Sequence, residues 1–481
     1  AQPRADMPIP SRSRPLALLL TLSLPVAAAA QGGPAEPGPL RELPARGTVA
    51  FVGVAVASAE ADRALPGQTV VVRDGRIVAV GPEARTAVPP GAVRIDGRGR
   101  FLAPGLVDTH AHWAAGDESL ATGAGRQLAL YLANGVTTVR GLGGASTALR
   151  LRDRVRAGDV LGPAMYVAAP SLNGNSVKSP AEAVQKVAAA KAAGYDAIKT
   201  HGNFSSGEVY DSMAAATHRA GLPLSGHVTP EFGLRRAIEA GQQVEHLDGF
   251  IAAATRDGAP PPGGAEGGQL VFDPVALANV DSAKVKALAA EMARRKIVNG
   301  PTLALFELLA SDETPEQLAA REEMRYAPAR AVAQWKTQVG EITRSAPAEG
   351  RHAFIALRRG IVRELYAAGV QLLPGSDSPQ LFMLPGFGLH RELRALADAG
   401  LPPRAVLAAA TRDAAAYLGR SDAGRVAVGA RADLVLLDAD PFADVSNLQR
   451  IAGVMVDGRW LPKERLDAMR EAVAREVAKI Q

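Results

Sequence analysis

The sequence predicts an α/β protein: a (β/α)8 barrel of the TIM type with a small β-sandwich domain built from both chain ends. Three observations predict it. Valine-rich runs broken by turns fill residues 48–100 and return at 421–462. Between them, over residues 101–420, apolar runs alternate with alanine-rich helical stretches. Histidines gather at the ends of those runs, although the 481-residue chain holds only eight of them.

In chain order, residues 1–30 come first. Met7, Arg12 and Arg14 precede an apolar run from Leu16 to Val26, and small residues end at Ala30. That is the layout of a secretory signal peptide, and it predicts cleavage near Ala30 and export to a periplasm or the exterior. The apolar run is shorter than the ~20 residues of a membrane anchor, so no anchor is expected after cleavage. Residues 31–47 are rich in Pro and Gly and read as an extended lead-in. In 48–100, Asp74-Gly75 between two apolar runs signals a hairpin, and Asp457-Gly458 repeats the signal near the other end. Both segments are assigned to one split domain.

Eight strand candidates follow: "FLAPGLVDTHAH", "GVTTVRG", "AMYVAAP", "YDAIKTH", "LPLSGH", "QQVEHL", "KIVNGPT" and "VQLLPGSD". Excess length falls after the sixth and seventh. The stretch 254–270, "ATRDGAPPPGGAEGGQL", is too rich in Pro and Gly for a helix, and both a lid and a plain linker fit its composition. Residues 463–481 have helical periodicity and could pack on the barrel or on a neighbouring subunit.

Composition narrows the chemistry. Apolar residues make up 47% and charged residues 21%, ordinary for a folded domain. There is no cysteine, so disulfides are excluded and any metal ligands must be His, Asp, Glu or a modified Lys. The net charge is +5, with no Lys/Arg cluster interleaved with aromatics, so nucleic acid is not an expected partner. Gly-x-Ser-x-Gly, His-Glu-x-x-His and a phosphate-binding glycine loop are all absent.

Six polar residues fall at strand ends: His110 and His112 on the first, Lys199 on the fourth, His227 on the fifth, His246 on the sixth and Asp377 on the eighth. In a (β/α)8 barrel the C-terminal ends of the strands carry the active site. Alternation puts His110 and His112 on the same side of their strand, a spacing suited to gripping one metal ion. Lys199 would be costly to bury as an unpaired cation. Carbamylation, a salt bridge with Asp377 and a surface-reaching side chain each resolve that cost, and spacing does not choose among them.

"PGLVDTHAH", "IKT", "SGH", "EHLDG" and "GSDS" together resemble the metal-binding motifs of the amidohydrolase superfamily, in the branch that groups imidazolonepropionase-like and prolidase-like proteins with ochratoxinase. The resemblance runs from about Thr48 to Trp460. It implies two divalent metal ions, most simply Zn²⁺: His110 and His112 on the first, His227 and His246 on the second, a carbamylated Lys199 bridging both, and Asp377 on the first. It also implies a homo-oligomer. Two departures stand out: Arg140-Gly141 where the family often has Arg-Asp, and His201 two residues beyond Lys199.

Two divalent ions held ~3.5–4 Å apart lower the pKa of a bridging water, and the resulting hydroxide attacks a carbonyl that the second ion polarises. Asp377 is the expected proton shuttle to the leaving nitrogen. The expected substrate is a small molecule with an amide next to a carboxylate: a dipeptide, an N-acyl amino acid or an ochratoxin-type amide. Arg140 and His201 are the candidate carboxylate contacts. Hydrolysis of a cyclic amide, as in imidazolonepropionase, is the alternative within this chemistry. A metal-stabilised binding protein without activity is the alternative outside it.

Overall fold

The computed structural model describes residues 38–143, 146–260, 262 and 270–480. The expected signal peptide and residues 31–37 of the lead-in lie outside the described residues, as do 261 and 263–269 of the candidate lid. The fifteen strands among the described residues are β1 (Val49–Val56), β2 (Leu65–Arg73), β3 (Arg76–Pro82), β4 (Val93–Asp96), β5 (Phe101–Pro104), β6 (Leu106–Ala111), β7 (Val136–Gly141), β8 (Ala164–Val167), β9 (Ile198–Thr200), β10 (Leu224–Gly226), β11 (Gln243–Glu245), β12 (Asn299–Gly300), β13 (Leu434–Leu437), β14 (Ile451–Val456) and β15 (Arg459–Pro462).

Both chain ends meet in one eight-stranded sheet, ordered β15-β14-β13-β5-β1-β2-β3, with β4 pairing β1. The sheet curls on itself. Phe51 of β1 meets Trp460 of β15 edge to face at 5.2 Å although three strands separate them in the ladder. Val54, Val70, Leu102, Leu434 and Met455 share its buried core, and the β2–β3 hairpin turns at Asp74-Gly75 as its sequence signals. Asp74 and Gly75 both have positive φ, which the two central residues of a tight hairpin turn require.

The remaining strands form the barrel. β6-β7-β8 and β9-β10-β11-β12 are parallel ladders. Bridges Ala168–Ala197 and Leu172–Thr200 join the two ladders. The circle closes through segment 370–378, which bonds β12 at Asn299 on one side and β6 on the other, where Thr109 donates to Pro374 O at 3.0 Å and Asp377 to His110 O at 2.7 Å. Pro374 has no N–H to contribute, so this eighth stave makes isolated bridges in place of a regular ladder.

The run expected as one strand from Phe101 divides at Gly105. Residues before it enter the small sheet, and residues after it enter the barrel. A Cβ at Gly105 would lie 2.1 Å from Thr137 Oγ1, so only glycine lets the chain cross over there. The excess after β12 folds into helices Leu303–Ala310, Pro315–Ala319, Ala329–Ser345 and Ala348–Ala367. The C-terminal helix Lys463–Ala478 packs on barrel helix Gly123–Ala133, and Arg470 donates to Ala133 O at 2.7 Å. No helix among the described residues is long and apolar enough to cross a membrane.

Candidate metal centre

The C-terminal ends of the staves bring the predicted residues together. His110 is the fifth residue of β6 and is fully buried, and His112 follows the strand half-exposed. Close approach of the eighth stave is possible because Gly375 lacks a Cβ, which would otherwise lie 2.4 Å from His110 Cβ. Asp377 arrives on that stave with φ +56°, and His246, one residue past β11, has φ +60°. Left-handed backbone at two polar residues of one cluster is the kind of local strain that collects at functional sites.

Donor atoms of His110, His112 and Asp377 all lie within 4.8 Å of one another. Asp377 Oδ1 is 2.6 Å from His112 Nε2 and 3.4 Å from His110 Nε2, and its Oδ2 is 3.9 Å from His246 Nε2. Lys199 Nζ is 3.4 Å from His110 Nε2. The imidazoles of His110 and His227 lie 4.6 and 4.7 Å from that of His246, centre to centre. The six residues therefore converge on one small volume. Lys199 is 1% exposed, which removes the surface-reaching reading.

Protonation follows from burial and neighbours. Burial lowers His110 to about 4, and the nearby Lys199 charge adds to that, so the imidazole is neutral and able to donate a lone pair. Burial and His110 likewise hold His246 well below its usual value. Burial alone would raise Asp377, but the His110 and His112 rings keep its carboxyl ionised, well below the ordinary range. Burial pushes Lys199 down, opposed by Glu245 and Asp377. Neutral imidazoles and a buried carboxylate aimed at one another are a donor set that suits a divalent ion.

A second ring of residues fixes these side chains. His110 Nδ1 pairs with Glu245 Oε2 at 3.0 Å, His227 Nδ1 with Asp248 Oδ2 at 2.9 Å and His246 Nδ1 with Thr302 Oγ1 at 3.0 Å. Binding one ring nitrogen to the protein and turning the other inward is how metal-binding histidines are usually oriented. Asp108, two residues before His110, ties the first and eighth staves: it accepts from the backbone N–H of His110 and Ser376 at 3.2 and 3.1 Å and from Ser376 Oγ at 2.5 Å. Sequence reasoning missed all four of these partners. Asp108, Glu245 and Asp248 flank predicted histidines within "DTHAH" and "EHLDG", so proximity could have found them; nothing in the sequence marks Thr302.

The two candidate substrate contacts part ways. His201 stands half-buried just past β9, with its ring edge-on to His227 at 4.7 Å. Arg140, the other candidate, spends its donors on the protein. It is 2% exposed inside the barrel, and its guanidinium donates to Thr109 O at 2.6 Å, Gln243 Oε1 at 2.7 Å, Tyr417 OH at 3.0 Å and Glu245 Oε1 at 3.0 Å. A cation so completely paired holds staves together.

Comparisons with known proteins agree with this geometry. The profile described as "Amidohydrolase family" matches residues 101–461. An adenine deaminase of Paracoccus denitrificans is 43% identical over 75 residues, 16% of this chain and 12% of that protein. An imidazolonepropionase of Myxococcus xanthus is 46% identical over 71 residues, 14% of this chain and 17% of that protein. The chain thus spans less than a fifth of the length of these curated relatives. Among solved structures, bottromycin amidohydrolase superposes with a TM-score of 0.69 at 25% identity, covering 91% of this chain and 93% of its own. A Xaa-Pro dipeptidase with bound methionine does so with a TM-score of 0.62 at 19% identity, covering 86% and 100%.

Proposed function

From the premise that the chain belongs to the amidohydrolase family of metal-dependent carbon–nitrogen hydrolases, we propose that it hydrolyses an amide next to a carboxylate in a dipeptide, an N-acyl amino acid or an ochratoxin-type amide. The observation that carries this reading is the convergence of His110, His112 and Asp377 within 4.8 Å, with Lys199, His227 and His246 around them. His110, His112 and Asp377 would hold one divalent ion and His227 and His246 a second, with Zn²⁺ the simplest choice for such ligands. Lys199, pushed by burial toward its neutral amine, is suited to add CO₂ with loss of a proton, and the resulting carbamate would bridge the two ions. Bound ions of this kind supply Lewis acidity and make water a stronger nucleophile near neutral pH.

The chain's own residues handle the proton. Asp377, an ionised carboxylate, takes a proton from the attacking water as the new C–O bond forms. It then delivers that proton to the amide nitrogen as the C–N bond breaks, which gives an acid and an amine. His201 is held neutral at about 4, by burial first and His227 second, so it would meet a substrate carboxylate as a hydrogen-bond donor. Opening of a cyclic amide is the second reading, favoured by the stretch shared with imidazolonepropionase; the buried Lys199 weighs against it. Export through residues 1–30 and assembly into a homo-oligomer complete the proposal.

Metal content of protein purified in bicarbonate buffer, with release of amino acid from dipeptides and N-acyl amino acids, tests it. About two ions per chain with turnover is the expected result. About one ion and no turnover on that panel overturns the carbamate-bridged site and moves the assignment to a cyclic amide.

A further inference from the structure

Beside the cluster, Thr302 is buried with φ +48°, a conformation that β-branched residues rarely adopt. It occupies the N-cap position of helix Leu303–Ala310, yet its side chain makes no capping hydrogen bond. Oγ1 is turned instead to His246 Nδ1, 3.0 Å away. The missing cap comes from across the core. Glu392, on helix Phe387–Asp398, accepts the Ala304 N–H through Oε2 at 2.8 Å.

Arg358, on helix Ala348–Ala367, reaches the same place. Its Nη2 donates to His246 O at 2.8 Å and Pro301 O at 3.1 Å, and its guanidinium lies 4.0 Å from the Phe306 ring centre. His246 N donates to Gly300 O at 2.7 Å. Thr302, Glu392 and Arg358 are all buried, and none is placed to touch a reacting atom.

We propose that Thr302, Glu392 and Arg358 are positioning residues for His246, holding the proton on Nδ1 and turning the Nε2 lone pair toward Asp377. The inference rests on the reading of His246 as an ion-binding residue. An imidazole that offers Nε2 must carry its hydrogen on Nδ1, and Thr302 Oγ1 is the acceptor in reach. By spending its hydroxyl there, Thr302 leaves its own helix uncapped, and Glu392 takes over that task so that the strained turn persists. Arg358 pins the two carbonyls that flank the turn.

Thr302→Val keeps the shape and removes the hydroxyl. In metal-free protein, long-range ¹H–¹⁵N spectra of the imidazoles read the tautomer directly: wild type is expected to show His246 as the Nδ1–H form, and Thr302→Val a mixture. In zinc titrations against a competing chelator, Thr302→Val and Glu392→Leu are expected to lose about 10- to 100-fold in affinity for one of two ions, with the other unchanged. Thr302→Ser and Glu392→Gln are expected to recover most of it. Burial pushes Glu392 up to about 8, so an amide is a close stand-in near neutral pH. If Thr302→Val does not fold, the Glu392→Leu and Glu392→Gln pair carries the same comparison. An unaltered tautomer with wild-type zinc affinity overturns the proposal. If His246→Ala itself keeps both ions at full affinity, the ion-binding reading of His246 fails, and the spectra decide the positioning role separately.

Discussion

Two polar groups adjoin each other in the barrel, sharing Glu245, and their contacts differ. In one, Arg140 donates to Glu245, Gln243, Tyr417 and a backbone carbonyl, and Ser225 Oγ donates to Glu245 Oε1 at 2.6 Å. In the other, at the C-terminal ends of the staves, His110, His112, His246, Lys199 and Asp377 face one another across 2.6 to 3.9 Å. Both groups are largely buried, with His112 the half-exposed member of the second, and both hold charge. What separates them is direction: in the first, polar atoms end on partners spread around the barrel, and in the second, imidazole nitrogens, an amine and a carboxylate converge on one another. Glu245 belongs to both, with Oε1 on Arg140 and Oε2 on His110. Burial and charge alone therefore do not identify a reactive site.

The largest effect should come from the converging group. Asp377→Asn is expected to lower kcat by about 10²- to 10⁴-fold, with the thermal unfolding midpoint nearly unchanged; retained turnover would remove the contrast altogether. Arg140→Met tests the other group. It leaves Glu245 with its main cation gone, and denaturant titration should show a loss of about 3–5 kcal/mol. A raised KM for carboxylate substrates at full stability would return Arg140 to the substrate side. Tyr417→Phe removes one hydroxyl from that network and should cost about 1 kcal/mol of stability without altering kcat.

The mildest test is acid titration. Burial alone would raise Glu245, but His110, then Arg140 and Lys199, hold it down to about 2. A carboxyl depressed in the folded state favours folding above its unfolded value of 4.5 and loses that contribution as pH falls toward 2. Stability measured from pH 5 down to 2 should therefore decline more steeply in wild type than in Glu245→Gln. Equal slopes would mean that Glu245 is not held by charge.

Much of the barrel was legible because its signals repeat: apolar runs of strand length recur between alanine-rich helices, and each candidate metal-binding histidine closes a run. The split small domain was legible from its paired Asp-Gly turns. Gly105 was read as the inside of a strand because a crossover between sheets and a continuous apolar run look alike in one dimension. The pairing of Arg140 was not legible for a related reason. A strand-end position shows that a side chain can reach the barrel axis, but not whether Glu245 and Gln243, over a hundred residues later, already meet it there. Thr302 left no trace, since its role depends on a backbone angle and on Glu392 from a distant helix.

The curled sheet has a consequence for how the chain becomes a protein. β5 is flanked by β1 on one side and by β13 on the other, with Leu102 opposite Leu436. During synthesis, Phe101–Pro104 must wait for almost the whole barrel before its second neighbour exists. Until then it presents an open row of amides and carbonyls, a template for pairing with another chain. Because contacts so distant in sequence are slow to form, closure of this seam is expected among the last events of folding. A nascent chain stalled before Leu434 would be most prone to aggregate at that edge.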